Sequence, residues 1–227
     1  MLATIDILSD GRTVLIPEAD LLHYITAQGS TEADVYIRDG RTLSDEQRRK
    51  IFAILRDIAK YTGDDPESLR AFFTWDFCFK YDCEAFSLST RRYNVADMTT
   101  AREFITYLLE FCLRYGVPMG ERITDRADDI EAAMYLCLEH RKCAVCGREA
   151  EIHHIDAIGM GGNRRTTGHV GREALALCRM HHTEMHTVGR NAFLSKYHLE
   201  GVRLTGYLCD RLGLSRTEGR DDFGSSA

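Results

Sequence analysis

Three short segments constrain this 227-residue chain more than anything else in it: C-A-V-C at 143–146, H-H-I at 153–155 and C-R-M-H-H-T-E-M-H at 178–186. Together they hold three of the eight cysteines and five of the nine histidines. Cys143-x2-Cys146 has the spacing of a zinc knuckle, and Cys178-x2-His181 offers a matching second pair. Three thiolates and one imidazole make a tetrahedral structural zinc set. The 31 residues between the pairs are more than a plain finger needs, so the knuckle must enclose something, and it encloses the His153-His154 pair.

The remaining histidines fit a second site. On a helix, His182 and His186 lie on one face about one turn apart and can grip one ion. His181 is then rotated by about 100° from His182 and is free to serve the zinc. On a strand, His153 and His154 point to opposite faces, so one can reach the second ion while the other addresses a water.

Size and composition suit a globular chain able to bury one sizeable core or two modest ones, with 44% hydrophobic and 28% charged residues. No apolar run approaches the roughly 18 residues of a membrane helix. Met1 to Asp10 carries two acids and no base, unlike a secretory signal. The expectation is a cytoplasmic protein with no membrane partner, in which cysteines bind metal rather than pair. Net charge is −6, yet unevenly spread: residues 1–140 hold 16 Lys and Arg against 25 Asp and Glu, and residues 141–227 hold 13 against 10. The cysteine–histidine part is the basic part, as a phosphate-binding site requires.

Along the chain, 4–8 and 12–16 read as a hairpin turned at Ser9-Asp10-Gly11. Pro17 is expected to open a helix over 19–27, followed by a strand at 34–38 turned by Asp39-Gly40. Ser44 and Gln47 form a capping-box pattern ahead of Ile51, Leu55 and Ile58, whose spacing predicts a helix that Gly63 ends. Further helices are predicted from Pro66 through 72–79, from Asp97 or Thr99 to Gly116, and over 127–139. The tail, 215–227, is polar and expected to fray. The fold class is α+β. It divides into a strand/helix module at 1–139 and a zinc-knuckled module at 140–214, with no long linker between them.

The order C-x2-C, H-H-I, G-M-G-G, A-L-C-x2-H-H-x3-H resembles the HNH (ββα-metal) nucleases, in particular the zinc-knuckled kind found in phage and prophage replication–recombination modules. That resemblance covers about 60 residues. It implies a strand that delivers a metal ligand followed by a general-base histidine, then a second strand leading into a helix with two more ligands. On this pattern His153, His182 and His186 hold a catalytic ion (Mg2+, Mn2+, Ni2+, Co2+ or Zn2+), and His154 is the base. Cys143, Cys146, Cys178 and His181 hold structural Zn2+. Residues 159–162 form the loop between the strands, and Arg164, Arg165 and Arg172 are candidate phosphate contacts. The family usually places Asn or His in the second strand to orient the base. Here Glu173 stands five residues before Cys178, and Asn163, His169 or a backbone carbonyl is left to take that task.

The chemistry suits those residue types. Phosphodiester cleavage needs a nucleophile and relief of negative charge on phosphate, which a metal ion supplies. A neutral imidazole can take the water proton near neutral pH. A zinc-protease reading fails because H-E-x-x-H is absent, and a zinc-deaminase reading fails because H-x-E is not followed by P-C-x-x-C. Cys78, Cys83, Cys112, Cys137 and Cys209 read as core thiols; His140 and His198 read as surface or satisfied histidines.

The front part, over about residues 4–118, resembles the NinB (Orf) family of phage recombination proteins. Its marks are R-D-G-R-T-L-S-D-E-Q-R-R-K at 38–50 and S-L-S-T-R-R-Y at 87–93. The resemblance implies a dimeric module that binds single-stranded DNA and works with single-strand-binding protein, in a bacterial host. Arg41, Arg48, Arg49, Lys50, Arg91 and Arg92 would contact phosphates. Trp75 and Tyr93 read as core residues, with base stacking as the alternative. The function expected is a metal-dependent DNA endonuclease acting on branched or single-stranded intermediates of recombination or replication. The alternatives are a non-catalytic single-strand-binding adaptor stabilised by zinc, and a sequence-specific homing-type endonuclease.

Overall fold

The computed structural model describes residues 3–8, 10, 12–17, 41–89, 94–155 and 168–215. The expected helix at 19–27, the strand at 34–38, the loop at 159–162 and the tail beyond 215 lie outside the described residues, as do Arg91, Arg92, Tyr93, Asn163, Arg164 and Arg165. Among the described residues are eight helices and five strands, an α+β arrangement.

Strands β1 (Ala3–Ile7) and β2 (Thr13–Pro17) pair antiparallel from Ala3↔Pro17 to Ile7↔Thr13. Asp10 ties the turn by accepting from the backbone N–H and side chain of Arg12. Pro17 is the last described residue before the expected helix. It ends β2, a strand-terminal position where its missing N–H is tolerated.

Helix α1 (Asp45–Thr62) begins as the capping box predicts: the Gln47 N–H donates to Ser44 Oγ at 3.1 Å and the Ser44 N–H to Gln47 Oε1 at 3.0 Å. Gly63, at φ +83°, closes it in the left-handed conformation that only glycine adopts without strain. Ile51, Ile54, Leu55 and Ile58 form its buried stripe. Helix α2 (Pro66–Tyr81) is capped by Asp65, and α3 (Met98–Tyr115) by Asp97, which accepts from the Thr100 N–H at 2.7 Å. Phe77 of α2 sits among Phe86, Phe104 and Tyr107, with ring centroids 5.3–5.8 Å apart and edge-on geometry.

The helix expected over 127–139 is α5 (Ile130–Glu139), starting three residues later, and a separate short helix, α4 (Ile123–Arg126), precedes it across a break at 127–129. Ala127 is extended, and Asp129 caps α5 by accepting from the Ala132 N–H. The break has a visible use. Gln47 and Lys50 reach across to it, Gln47 Nε2 donating to Asp128 Oδ2 at 2.8 Å and Lys50 Nζ to the Ala127 carbonyl at 2.8 Å.

Beyond α5 the chain forms β3 (Glu151–His154), β4 (Glu173–Leu177), α6 (Arg179–Val188), α7 (Arg190–Tyr197), β5 (Val202–Arg203) and α8 (Gly206–Leu212). The sheet order is β3-β4-β5, antiparallel throughout. β4 is the centre: Ala174, Leu175, Ala176 and Leu177 are all fully buried, with α5 and α6 packed against the strand. That double burial explains an uninterrupted apolar run where a one-sided strand would alternate. One cluster of buried side chains runs from Leu43 through α1, α3 and α5 to Leu212. No helix among the described residues is long and apolar enough to cross a membrane.

Candidate metal centre and active site

Four ligand atoms meet beneath β4. Cys143 and Cys146 lie on the turn after α5, Cys178 precedes α6 and His181 is in its first turn. The turn is fixed by backbone bonds from Gly147 N–H to the Cys143 carbonyl (2.8 Å) and from Cys143 N–H to the Arg148 carbonyl (2.7 Å). It is pinned to the sheet by Ala144 N–H on the Ala176 carbonyl (2.9 Å). Gly147 has φ +69°, which lets so tight a loop return.

The separations fit a tetrahedral ion. Zn–S bonds of about 2.3 Å imply S···S edges of about 3.8 Å and S···N edges of about 3.5 Å. Cys146 Sγ and Cys178 Sγ are 3.8 Å apart, and His181 Nδ1 is 3.3 Å from both Cys143 Sγ and Cys178 Sγ. Burial pushes the Cys143 thiol up to about 12 and holds His181 below its ordinary value, so the imidazole is the neutral form a metal needs. Burial also pushes Cys146 up, but donation from Arg148 reverses this and leaves the thiol below its usual value.

Arg148 was not singled out from the sequence. Its Nε lies 3.3 Å from Cys146 Sγ and its Nη2 3.9 Å from Cys178 Sγ. Three thiolates around a divalent ion leave one excess negative charge, which this guanidinium faces. Its position two residues after Cys146 was the available signal. Tyr197 was also missed: its ring stands edge-on to His181 at 5.6 Å, held by a hydrogen bond to Glu184 at 2.9 Å. Glu184, the acid within H-x-E-x-H, is thereby turned toward α7, where Lys196 also donates to it.

The second cluster is His153, His182 and His186, with one ligand nitrogen from each within 4.8 Å of the others. His182 Nε2 and His186 Nε2 are 3.3 Å apart, one helical turn bringing them together. The His153 ring lies 4.6 Å from that of His182 and 5.3 Å from that of His186. Burial first, then the two neighbouring imidazoles, depress His153 to about 4. Its neutral lone pair is available at neutral pH, and the three rings together fit a divalent transition ion.

His154 faces the other way, as strand alternation requires. Its Nε2 is 3.0 Å from His169 Nδ1, and the two rings stack at 4.9 Å with planes 23° apart. Burial and the nearby Arg172 charge hold His169 below its ordinary pKa. Glu173 carries a backbone role at this point, its carbonyl accepting from the Ile155 N–H at 2.9 Å. Arg190, unnoticed in the sequence, donates from Nη1 to the Ile155 carbonyl at 3.3 Å, one residue beyond His154.

The candidate DNA-contacting residues are spread out. Arg172 lies beside His169. Arg41 and Arg49 are exposed, and the Arg48 guanidinium lies 5.7 Å over the Phe52 ring. Lys50 turns inward, bonded to the Ala127 carbonyl and paired with Glu46 and Asp128. Trp75 is not a core residue: it is 63% exposed and stacks on Phe79 with centroids 5.6 Å apart.

Compared with known families, residues 16–214 match the model described as "Putative HNHc nuclease". No curated protein and no solved structure matches the chain.

Proposed function

Because the chain belongs to this HNH nuclease family over residues 16–214, we propose that it is a metal-dependent DNA endonuclease acting on branched or single-stranded intermediates of recombination or replication. The observation that carries the reading is the opposed setting of two neighbours: His153 joins His182 and His186, while His154 turns to His169. One strand thus serves an ion and a proton acceptor side by side.

In this reading His153, His182 and His186 hold the catalytic divalent cation, and Cys143, Cys146, Cys178 and His181 hold structural zinc. When bound, the divalent cation offsets charge on the scissile phosphate and on the departing 3′ oxygen. His154 Nε2 and His169 Nδ1 share one hydrogen bond, which orients the His154 imidazole, and in this reading that imidazole accepts a proton from the attacking water. The water oxygen bonds to phosphorus, the bond to the 3′ oxygen breaks, and that oxygen is protonated from solvent. His169 is the positioning partner, the task a second-strand Asn or His would perform. Arg172 and Arg190 flank the two histidines and supply positive charge for the phosphate. The family match begins within the front part, which supports treating residues 1–139 as the DNA-engaging part of the same enzyme and 140–214 as its nuclease part. Single-strand-binding protein and a second copy of the chain are the partners this reading assigns.

The test is incubation of purified protein with linear duplex, nicked, single-stranded and four-way-junction DNA across several divalent ions. Cleavage confined to branched or single-stranded DNA is the expected result. Defined cuts in linear duplex would instead indicate a sequence-specific enzyme, and binding without cleavage an adaptor.

A further inference from the structure

Helix α1 carries a row of cations that the histidine site does not use. Arg49, Arg56 and Lys60 are exposed and spaced by seven and four residues, so they fall within about 40° of one another around the helix. They span about 16 Å along its axis at 1.5 Å per residue. Two adjoining hollows run beside them, of about 1130 and 540 Å³, sharing Ala53, Arg56, Pro66 and Arg126. Ala53 leaves the floor between the cations low.

The acids around these hollows are largely neutralised within the fold. Asp57 and Glu121 pair with Arg126, at 3.0 and 3.5 Å. Glu46 pairs with Lys50, Glu67 with Arg70 and Asp125 with Arg122. Asp45 and Asp64, at the two ends of the helix, have no cationic partner among the described residues. Against these two stand Arg48, Arg49, Arg56 and Lys60, none of which is paired with a carboxylate among the described residues. The middle of the groove is therefore a positive strip in a chain whose net charge is −6.

We propose that this groove on α1 binds the sugar–phosphate backbone of a DNA strand, with Arg49, Arg56 and Lys60 as its phosphate contacts. The proposal rests on the nuclease reading for the identity of the polyanion and adds to it a second, non-catalytic contact surface. It also moves the front part's DNA contacts: they follow the helix toward Lys60, away from the inward-turned Lys50. A row of point charges that grips phosphates gives affinity without sequence preference.

The experiment compares wild type with the Arg49→Gln/Arg56→Gln/Lys60→Gln variant. The readout is fluorescence anisotropy with a 30-nucleotide single strand across a salt series, with no divalent ion added. A control removes equal charge elsewhere, as Arg102→Gln/Arg114→Gln/Arg211→Gln. Each lost phosphate contact should flatten the slope of log K against log salt by about 0.7, so the groove variant should lose about 2 from the slope. Its affinity at 0.15 M salt should fall about 10- to 100-fold while the control stays near wild type. Should the triple variant melt early, Arg56→Gln alone should still lower the slope by about 0.7. An unchanged slope, an equal loss in the control, or no DNA binding by wild type overturns the proposal. Metal-dependent cleavage by wild type is scored separately, so the groove can fail while the nuclease reading stands.

Discussion

Replacing Cys143 by serine removes one sulfur from the knuckle and little else. The side chain is 0% exposed, and serine fills nearly the same space, so packing changes minimally. What changes is the ligand set. Structural zinc sites contribute about 10–16 kcal/mol of apparent binding energy at neutral pH, comparable with the roughly 5–15 kcal/mol net stability of a typical domain. A conservative lower bound comes from stripping one partner from a buried charged cluster, about 3 kcal/mol. The bound applies here because the buried Cys178 sulfur and His181 nitrogen would face a weakened ion. For a chain of this length, 1 kcal/mol moves the melting temperature by about 2–4 °C, so Cys143→Ser should melt about 6–12 °C early. Zinc content should fall by one equivalent, measured by atomic absorption. The paired control is Cys137→Ser, also 0% exposed but outside the ligand set. It should cost about 1–3 kcal/mol for burying a hydroxyl while keeping both zinc and the destabilisation by chelator. If Cys143→Ser melts within 2 °C of wild type and a chelator leaves wild type unmoved, the knuckle is not a zinc site.

Substitutions at two further positions probe the surroundings of the base. A Cβ on Gly201 would stand 2.5 Å from Ile155 Cδ1 and 3.3 Å from Glu173 Cβ. Gly201→Ala should therefore cost about 1–3 kcal/mol in chemical denaturation and lower cleavage by displacing the residue after His154; wild-type stability would refute that close approach. His169→Ala should reduce the cleavage rate about 10- to 100-fold, as orienting partners of functional imidazoles do, without changing metal content. His169→Asn should recover part of the loss. Equal rates for all three proteins would remove His169 as the positioning partner.

Much of this was legible in the sequence because it depends on local chemistry. Ser44 with Gln47, Asp97 and Gly63 mark helix ends through bonds made within four residues, and the structure has them where the pattern puts them. The division of His181 from His182, and of His153 from His154, follows from helical and strand geometry alone. The misreadings lie where distant partners decide. The helix expected from 127 begins only at Ile130, where Gln47 and Lys50, about 80 positions earlier, bond to Asp128 and to the carbonyl of the extended Ala127. Lys50 looked like a free cation for the same reason. Trp75 reads as a core residue in the sequence, yet α2 packs through Leu69, Phe73 and Phe77 and leaves Trp75 on the opposite side. Arg148 on the knuckle sulfurs is a contact that spacing suggests only once both partners are placed, whereas His169 was one of three candidates for the contact it makes with His154.

The account stands or falls on His154 as the proton acceptor beside a divalent ion. Its most direct test is the single-turnover cleavage rate of wild type and His154→Ala on the preferred DNA, at saturating divalent ion, with metal content measured on the same samples. The expected result is a loss of about 100- to 10,000-fold, the worth of a positioned general base, with both metal sites still occupied. A His154→Ala protein that binds its metals and cuts at the wild-type rate would contradict it.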